Sequence, residues 1–190
     1  MAAFAAQSAA ILAANRLDPA SHLGQTARMS AVSFLPEQSV AQALERMLFE
    51  HTPPQLDEAL RAVAQAFAAV SATLHRADRE TRTLHMVAHL GLPEPLIAIT
   101  QRIPFGKGIA GLCAERNEPI ELCNLQTDNS GAARPDAKKT GVAGAISVPV
   151  LASDGALVGT LGVGKPHEHS YTDEEKRVLR VWAGLFGRAL

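Results

Sequence analysis

Ala145-Ile146-Ser147-Val148-Pro149-Val150 and Leu157-Val158-Gly159-Thr160-Leu161-Gly162-Val163, with Ser153-Asp154-Gly155 between them, decide the fold. Both runs are rich in β-branched residues and the Asp-Gly pair marks a tight turn, so the stretch predicts a β-hairpin. Downstream, Thr172 with Glu175 three residues on reads as a capping box, opening a helix whose stripe is Val178, Leu179, Trp182, Leu185 and Phe186. Upstream, Pro119–Leu122 is strand-like, Ile109–Glu115 reads as a short helix behind a glycine turn, and about Ile97–Ile103 reads as a strand. A second hairpin is expected from strands Ser71–His75 and Arg82–His89 around Ala77-Asp78-Arg79-Glu80. Behind Pro54, residues Leu56, Leu60, Val63, Ala64 and Phe67 space out an amphipathic helix. Helix, strands, small helix, loop, strands, helix is the order of an α+β domain over an antiparallel sheet.

Residues 1–53 read differently. Ala2–Ala14 is a short helix candidate, and Pro36–Glu50 is a second, with Val40, Ala43, Leu44, Met47 and Leu48 on one side. His51-Thr52-Pro53-Pro54 then breaks the chain. The Met1–Asn15 segment lacks the basic start of a signal peptide and is too short and alanine-rich for a membrane span. At 190 residues and 47% hydrophobic content the chain is long and apolar enough for one buried core. Its 18 basic and 19 acidic residues leave a net charge of −1, which argues against broad binding to nucleic acid or an anionic membrane. Two cysteines make no disulfide framework and match no zinc spacing, so a reducing, cytoplasmic setting is expected.

Gly106-Lys107-Gly108-Ile109-Ala110-Gly111 formally matches G-x-G-x-x-G. A dinucleotide site would also need a parallel βαβ unit, and the following chain reads as antiparallel hairpin. The better reading is a tight strand-to-helix turn, whose free helical amides and Lys107 offer a place for an anion. His85 and His89 stand four apart on a strand, hence on one face, while His167 and His169 lie on a loop. Nothing makes three or four of these converge, so no metal is assigned. Ala132-Ala133-Arg134-Pro135-Asp136-Ala137-Lys138-Lys139 is the local basic cluster: a solvated stretch of the long 124–140 loop, or a lid carrying Arg134 or Lys138 to an anionic ligand.

Ile103 to Gly111, Glu118-Pro119-Ile120, Gly144 to Val150, Val158 to Val163 and Tyr171-Thr172-Asp173-Glu174-Glu175 together resemble a GAF domain. The resemblance covers residues 54–190 and leaves 1–53 as a helical N-terminal extension. It implies a central antiparallel sheet of about six strands, helices on one face and a small-molecule pocket on the other. It also implies a sensor or regulatory module, expected to be non-catalytic and to act through a separate signalling partner, since no output module is read after residue 190. Family members often dimerise through terminal helices, for which Leu179, Trp182 and Phe186 are candidates. The cofactor is unknown and the ligand unidentified, an anion being one option. Candidate ligand-binding residues are Phe105, Lys107, Gly108, Ile109, Asp128, Asn129, Arg134 and His85.

Two other classes stand beside this one. Free-methionine sulfoxide reductases share the fold and place a cysteine in the glycine turn, where this chain has Ala110, and a nucleophilic cysteine in the 124–140 loop, which has none. Cys113 and Cys123 therefore read as structural, with a redox-sensing pair as the alternative. A structural dimerisation domain with a filled pocket is the third class.

Overall fold

Side-chain alternation along the central strands sorts large and small residues onto opposite faces of one sheet. The computed structural model of the chain describes residues 37–131 and 141–190. The described residues fall in one unit that runs from Phe34 to Leu190. The expected Ala2–Ala14 helix, Arg134 and Lys138 lie outside the described residues. The elements are α1 (Glu37–Phe49), α2 (Leu56–Ala66), β1 (Ser71–Asp78), β2 (Thr83–Leu90), α3 (Glu94–Thr100), β3 (Arg102–Pro104), α4 (Gly108–Arg116), β4 (Ile120–Leu122), β5 (Ala145–Leu151), β6 (Leu157–Gly164) and α5 (Asp173–Ala189). The six strands order as β3-β2-β1-β6-β5-β4, and every neighbouring pair is antiparallel. The two predicted hairpins are β1–β2 and β5–β6, and the β1–β6 pairing joins them.

One face carries Ala72 and Leu74 from β1, Ile146, Val148 and Val150 from β5, and Leu161 and Val163 from β6, all buried. Helices α1, α2 and α5 supply the rest of that core with Leu44, Leu60, Val63, Leu179 and Phe186. Phe67 meets Trp182 edge to face at 5.6 Å. Fully burying each of these large side chains contributes about 1.5–3 kcal/mol, which is why this face holds the layers together. The stripe predicted for α5 is spent here: Leu179, Trp182 and Phe186 are fully buried in their own chain. Helix α1 joins the same core through Val40, Leu44 and Leu48. Arg177 on α5 ties it down at Glu37, 2.6 Å away.

One expected strand is corrected. Residues 97–100 are helical, belonging to α3, and only Arg102–Pro104 is extended. Pro95 stands in the first turn of α3, where its missing N–H costs no hydrogen bond. Leu96 is the buried residue of that helix, and the Thr100 hydroxyl donates back to the Leu96 carbonyl at 2.7 Å. An apolar run this short carries no periodicity that separates helix from strand.

The start of α5 is fastened by the predicted capping box. The Glu175 amide donates to the Thr172 hydroxyl oxygen at 3.2 Å, and the Thr172 amide donates to Glu175 Oε2 at 2.8 Å. Glu175 Oε1 also accepts from His169 Nε2 at 2.8 Å and faces the buried Lys165 ammonium at 3.5 Å. Burial works against charge on Glu175. The Thr172 amide, the His169 hydrogen bond and the His169 and Lys165 charges outweigh it and hold the carboxyl below its ordinary range. Thr172→Ala removes one cap and is expected to cost about 1 kcal/mol. Glu175→Ala also leaves the Lys165 ammonium buried without its partner, and is expected to cost about 3–5 kcal/mol. Urea unfolding midpoints should therefore rank wild type above Thr172→Ala, and Thr172→Ala above Glu175→Ala.

Candidate functional site

The second face of the sheet is built from small and polar residues. Ser71, Thr73 and His75 on β1 stand opposite Gly164, Gly162 and Thr160 on β6. Ala145 and Ser147 on β5 continue the same rows across Gly164 and Gly162. With no side chain at Gly162 or Gly164, space remains between this face and α4. A Cβ at Gly162 would stand 2.9 Å from Thr73 Oγ1, and one at Gly164 would stand 2.6 Å from Ser71 Oγ and 2.8 Å from Val142 Cγ1. The result is a cavity of about 140 Å³. It is floored by Ser71, Thr73, His75, Ala145, Gly162 and Gly164, roofed by Lys107, Gly108, Ile109 and Ala110, and bounded at the sides by Thr100, Ile103, Leu125 and Val142.

The glycine turn presents the roof. Gly106 and Gly108 have φ of 78° and 65°, where a β-carbon would be strained. The Gly106 amide donates to the Gly111 carbonyl at 2.8 Å, closing the turn on itself. The glycines therefore serve a tight turn, and the antiparallel sheet around them excludes the dinucleotide reading. Lys107 is the N-cap of α4 but its side chain caps no amide. The opening amides of α4 are left without intrahelical acceptors beside the cavity.

His75 is the most deeply buried of the polar side chains at the floor. It is 1% exposed, and Nε2 lies 3.0 Å from the Thr100 carbonyl oxygen. A carbonyl only accepts, so Nε2 carries the proton and Nδ1 keeps its lone pair. Nδ1 has no hydrogen-bond partner. Burial lowers the pKa from 6.5 to about 4, against a smaller upward pull from the Thr100 hydrogen bond, so the ring is neutral at physiological pH. On the same face the Thr160 and Ser147 hydroxyls are also buried without a partner of hydrogen-bonding geometry.

Of the predicted site residues, Lys107, Gly108 and Ile109 line the cavity. Phe105 is not among the lining residues. It packs with Leu84, Ile103 and Ala114 and lies under the Arg82 guanidinium, 5.3 Å from the ring centroid. Asp128 and Asn129 are outside the lining too, and Asp128 Oδ1 accepts from the Ser130 amide at 3.1 Å. Arg134 is outside the described residues.

His85 misses the cavity because of a register shift. Leu74 pairs with Ala88 but His75 pairs with Met86, so Val87 is an extra residue on β2. Such a bulge swaps the faces beyond it. His89, opposite Thr73, and His85, opposite Arg76, therefore stand on opposite faces, correcting the expectation that they share one. Among the described residues, no group of three or more His, Cys, Asp or Glu side chains is placed to hold a metal. The sequence reading passed over His75, Thr73 and Ser71. Their signal was a run of polar residues at every second position of a strand that turns out to be central.

A family model for the GAF domain matches residues 55–190. The chain belongs to the GAF domain family. Among curated proteins no sequence match reaches significance. Solved structures agree on the fold. The GAF domain of a phosphoenolpyruvate-protein phosphotransferase from Coxiella burnetii superposes with a TM-score of 0.70 at 20% identity, over 83% of this chain and 94% of that one. The corresponding domain from Acinetobacter gives 0.65 at 15% identity, covering 80% and 90%. Free methionine-R-sulfoxide reductase from Neisseria meningitidis, in complex with its substrate, gives 0.65 at 18% identity, covering 80% and 87%.

Neither thiol of this GAF domain lines its cavity. Cys113 is fully buried on α4. Burial pushes its thiol up to about 12, with Glu118 adding to the shift and the neighbouring Ser147 hydroxyl opposing it. At neutral pH it is a protonated thiol, not a nucleophile. Cys123 is exposed at the end of β4, where its sulfur accepts from the Ser170 hydroxyl at 3.4 Å.

His75 also couples stability to pH. Between 6.5 and about 4 the unfolded chain binds a proton that the folded ring refuses. Its contribution is therefore complete above the unfolded value and declines as pH falls toward about 4, by up to about 3 kcal/mol. Denaturant unfolding across this range should show that decline, and His75→Phe should flatten it by about one proton. An NMR titration should find the His75 ring still neutral at about pH 5.

Proposed function

We propose that this GAF domain is a non-catalytic regulatory module that senses a small molecule in the cavity under α4 and signals through a separate partner protein. The observation that carries this reading is the cavity itself, kept open by Gly162 and Gly164 on a central strand and bounded by a histidine with one ring nitrogen unused. A purely structural domain gains stability by filling such a space.

The cavity borders segments that can pass its state outward. Val142 and Leu125 form one wall, and the Leu125 amide donates to the Ala143 carbonyl at 2.8 Å. Gly164 forms part of the floor and is followed at once by Lys165, which pairs with Glu175 at the start of α5. A ligand that favours one arrangement of these walls shifts the population of the neighbouring surface. The output contact, or a homodimer in the cytoplasm, would use the outer faces of α1 and α5. Phe49 and Val181 are exposed there, whereas the apolar stripe of α5 is occupied.

Resemblance in fold to a sulfoxide reductase makes redox catalysis the reading to test against. It has no thiol among the described residues that line the cavity, since Cys113 is a buried thiol off the lining and Cys123 lies away from it. Native mass spectrometry of freshly purified protein, with an absorption spectrum of the same sample, should reveal a bound small molecule. Gly162→Val, which intrudes on the cavity next to Thr73, should lose it. Cys113→Ser and Cys123→Ser should both retain it, and the wild type should not reduce free methionine sulfoxide with dithiothreitol as reductant. Reductase activity abolished by either serine variant would replace the sensor reading with the enzymatic one.

A further inference from the structure

Resting on the sensor reading, the polar groups left open at the cavity prescribe what its occupant looks like. Nδ1 of His75 and the Ser147 and Thr160 hydroxyls are sealed within the protein and reach nothing in the space. The Ser71 and Thr73 hydroxyls differ. They stand two residues apart on β1, both on the cavity face, and neither is sealed or has a hydrogen-bond partner among the described residues. Ser71 is 7% exposed, and its Oγ lies 2.6 Å from the position that a Gly164 β-carbon would take. Thr73 Oγ1 lies 2.9 Å from the corresponding position at Gly162. Those two empty positions belong to the cavity floor, so the glycines open the space directly in front of two unspent hydroxyls. Thr73 is only partly buried although β1 is an inner strand, and the cavity is what it opens to on this face.

The walls around them are aliphatic, from Ile103, Ile109, Leu125 and Val142, and no acidic side chain is among the described lining residues. At about 140 Å³ the space is close to that of an apolar cavity known to hold benzene. We infer that the cavity takes a compact molecule with an apolar body and one neutral polar edge, whose oxygen atoms hydrogen-bond to the Ser71 and Thr73 hydroxyls. Ring-sized alcohols, phenols, ketones and lactones fit this description. A hydroxyl both donates and accepts, so the pair selects for a polar atom and not for the direction of its hydrogen bond. Same-face neighbours on a strand are about 7 Å apart, so one ring carrying two oxygens can reach both. Ammonium compounds do not fit, because their charge would be buried with no carboxylate among the described lining residues to balance it. Inorganic anions do not fit, because they have no apolar body for the aliphatic walls.

The test uses benzene, phenol and resorcinol as matched probes on the full chain, followed by amide NMR shifts of Ser71, Thr73, Gly162 and Gly164. Phenol is expected to bind about fivefold more tightly than benzene, the worth of one hydrogen bond to a group that has none within the chain. Resorcinol is expected to bind more tightly than phenol. Ser71→Ala combined with Thr73→Val removes both oxygens and nearly keeps their shapes. This double variant should still bind benzene and should lose the preference for phenol. It should also unfold at the wild-type urea concentration, since no hydrogen bond within the chain is lost. If it fails to fold, the wild type gives the same answer: intermolecular NOEs should join the phenol ring to the Thr73 methyl and the Ser71 methylene. Equal binding of benzene and phenol, a phenol preference that survives in the double variant, or NOEs confined to other residues would overturn the inferred chemistry while leaving a ligand-accepting cavity intact. No shift at any cavity residue with any of the three probes would overturn the sensor reading itself.

Discussion

Strand β6 lies between β1 and β5 and gives the two sides of the sheet different work. Leu161 and Val163 face the helices, while Thr160, Gly162 and Gly164 face the other way. The first set is the floor on which α1, α2 and α5 assemble. The second set is too small to fill its side, so α4 spans a space and does not pack flush on the sheet. A period of two residues thus produces a dense core and a cavity from the same eight-residue strand. Everything proposed about ligand recognition depends on that division being kept along the whole length of β6.

The division also determines how the two sides are joined. Gly164 ends the strand at the cavity, and the next residue, Lys165, is already inside the buried cluster with Glu175, His169 and Tyr171. The Tyr171 ring lies 4.7 Å from that of His169, and burial with nearby Glu175 and Glu121 raises its phenol well above the ordinary range. Glu121 on β4 reaches the same region, accepting from the Tyr171 amide at 3.2 Å and from the Lys176 ammonium at 2.8 Å. Buried ion pairs of this kind seldom add much net stability, but they have few alternative arrangements. The cluster therefore fixes the angle at which α5 leaves the sheet and links it by one peptide bond to the cavity floor.

How much of this was legible in the sequence follows from which interactions are local. The β5–β6 hairpin is announced by its turn, the start of α5 by its capping box, and the helix after Pro54 by its spacing, all within a few residues. The strand expected around Ile97–Ile103 failed because Leu96, Ile97 and Ile99 look alike in a helix and a strand. Burial of Leu96 and back-bonding of Thr100 decide between them, and both depend on the finished fold. The roof of the site was readable, since Lys107, Gly108 and Ile109 belong to a turn with its own signature. The floor was not. His85 attracted attention as one of a spaced pair, whereas a bulge at Val87, invisible without the partner strand, turns it away from the cavity that His75 enters.

Gly162 and Gly164 carry one more implication, for how such a protein changes over generations. A cavity bounded by side chains can be reshaped by exchanging them. A cavity that exists because atoms are missing can only be reduced at those positions, since every substitution of glycine adds mass. Drift therefore runs one way on the open face, toward closure, while on the helical face leucine, valine and isoleucine can trade places with little consequence. Closure also has to be concerted, because a β-carbon at either glycine would meet Thr73, Ser71 or Val142 at less than 3 Å, so those neighbours must shift before the floor can fill.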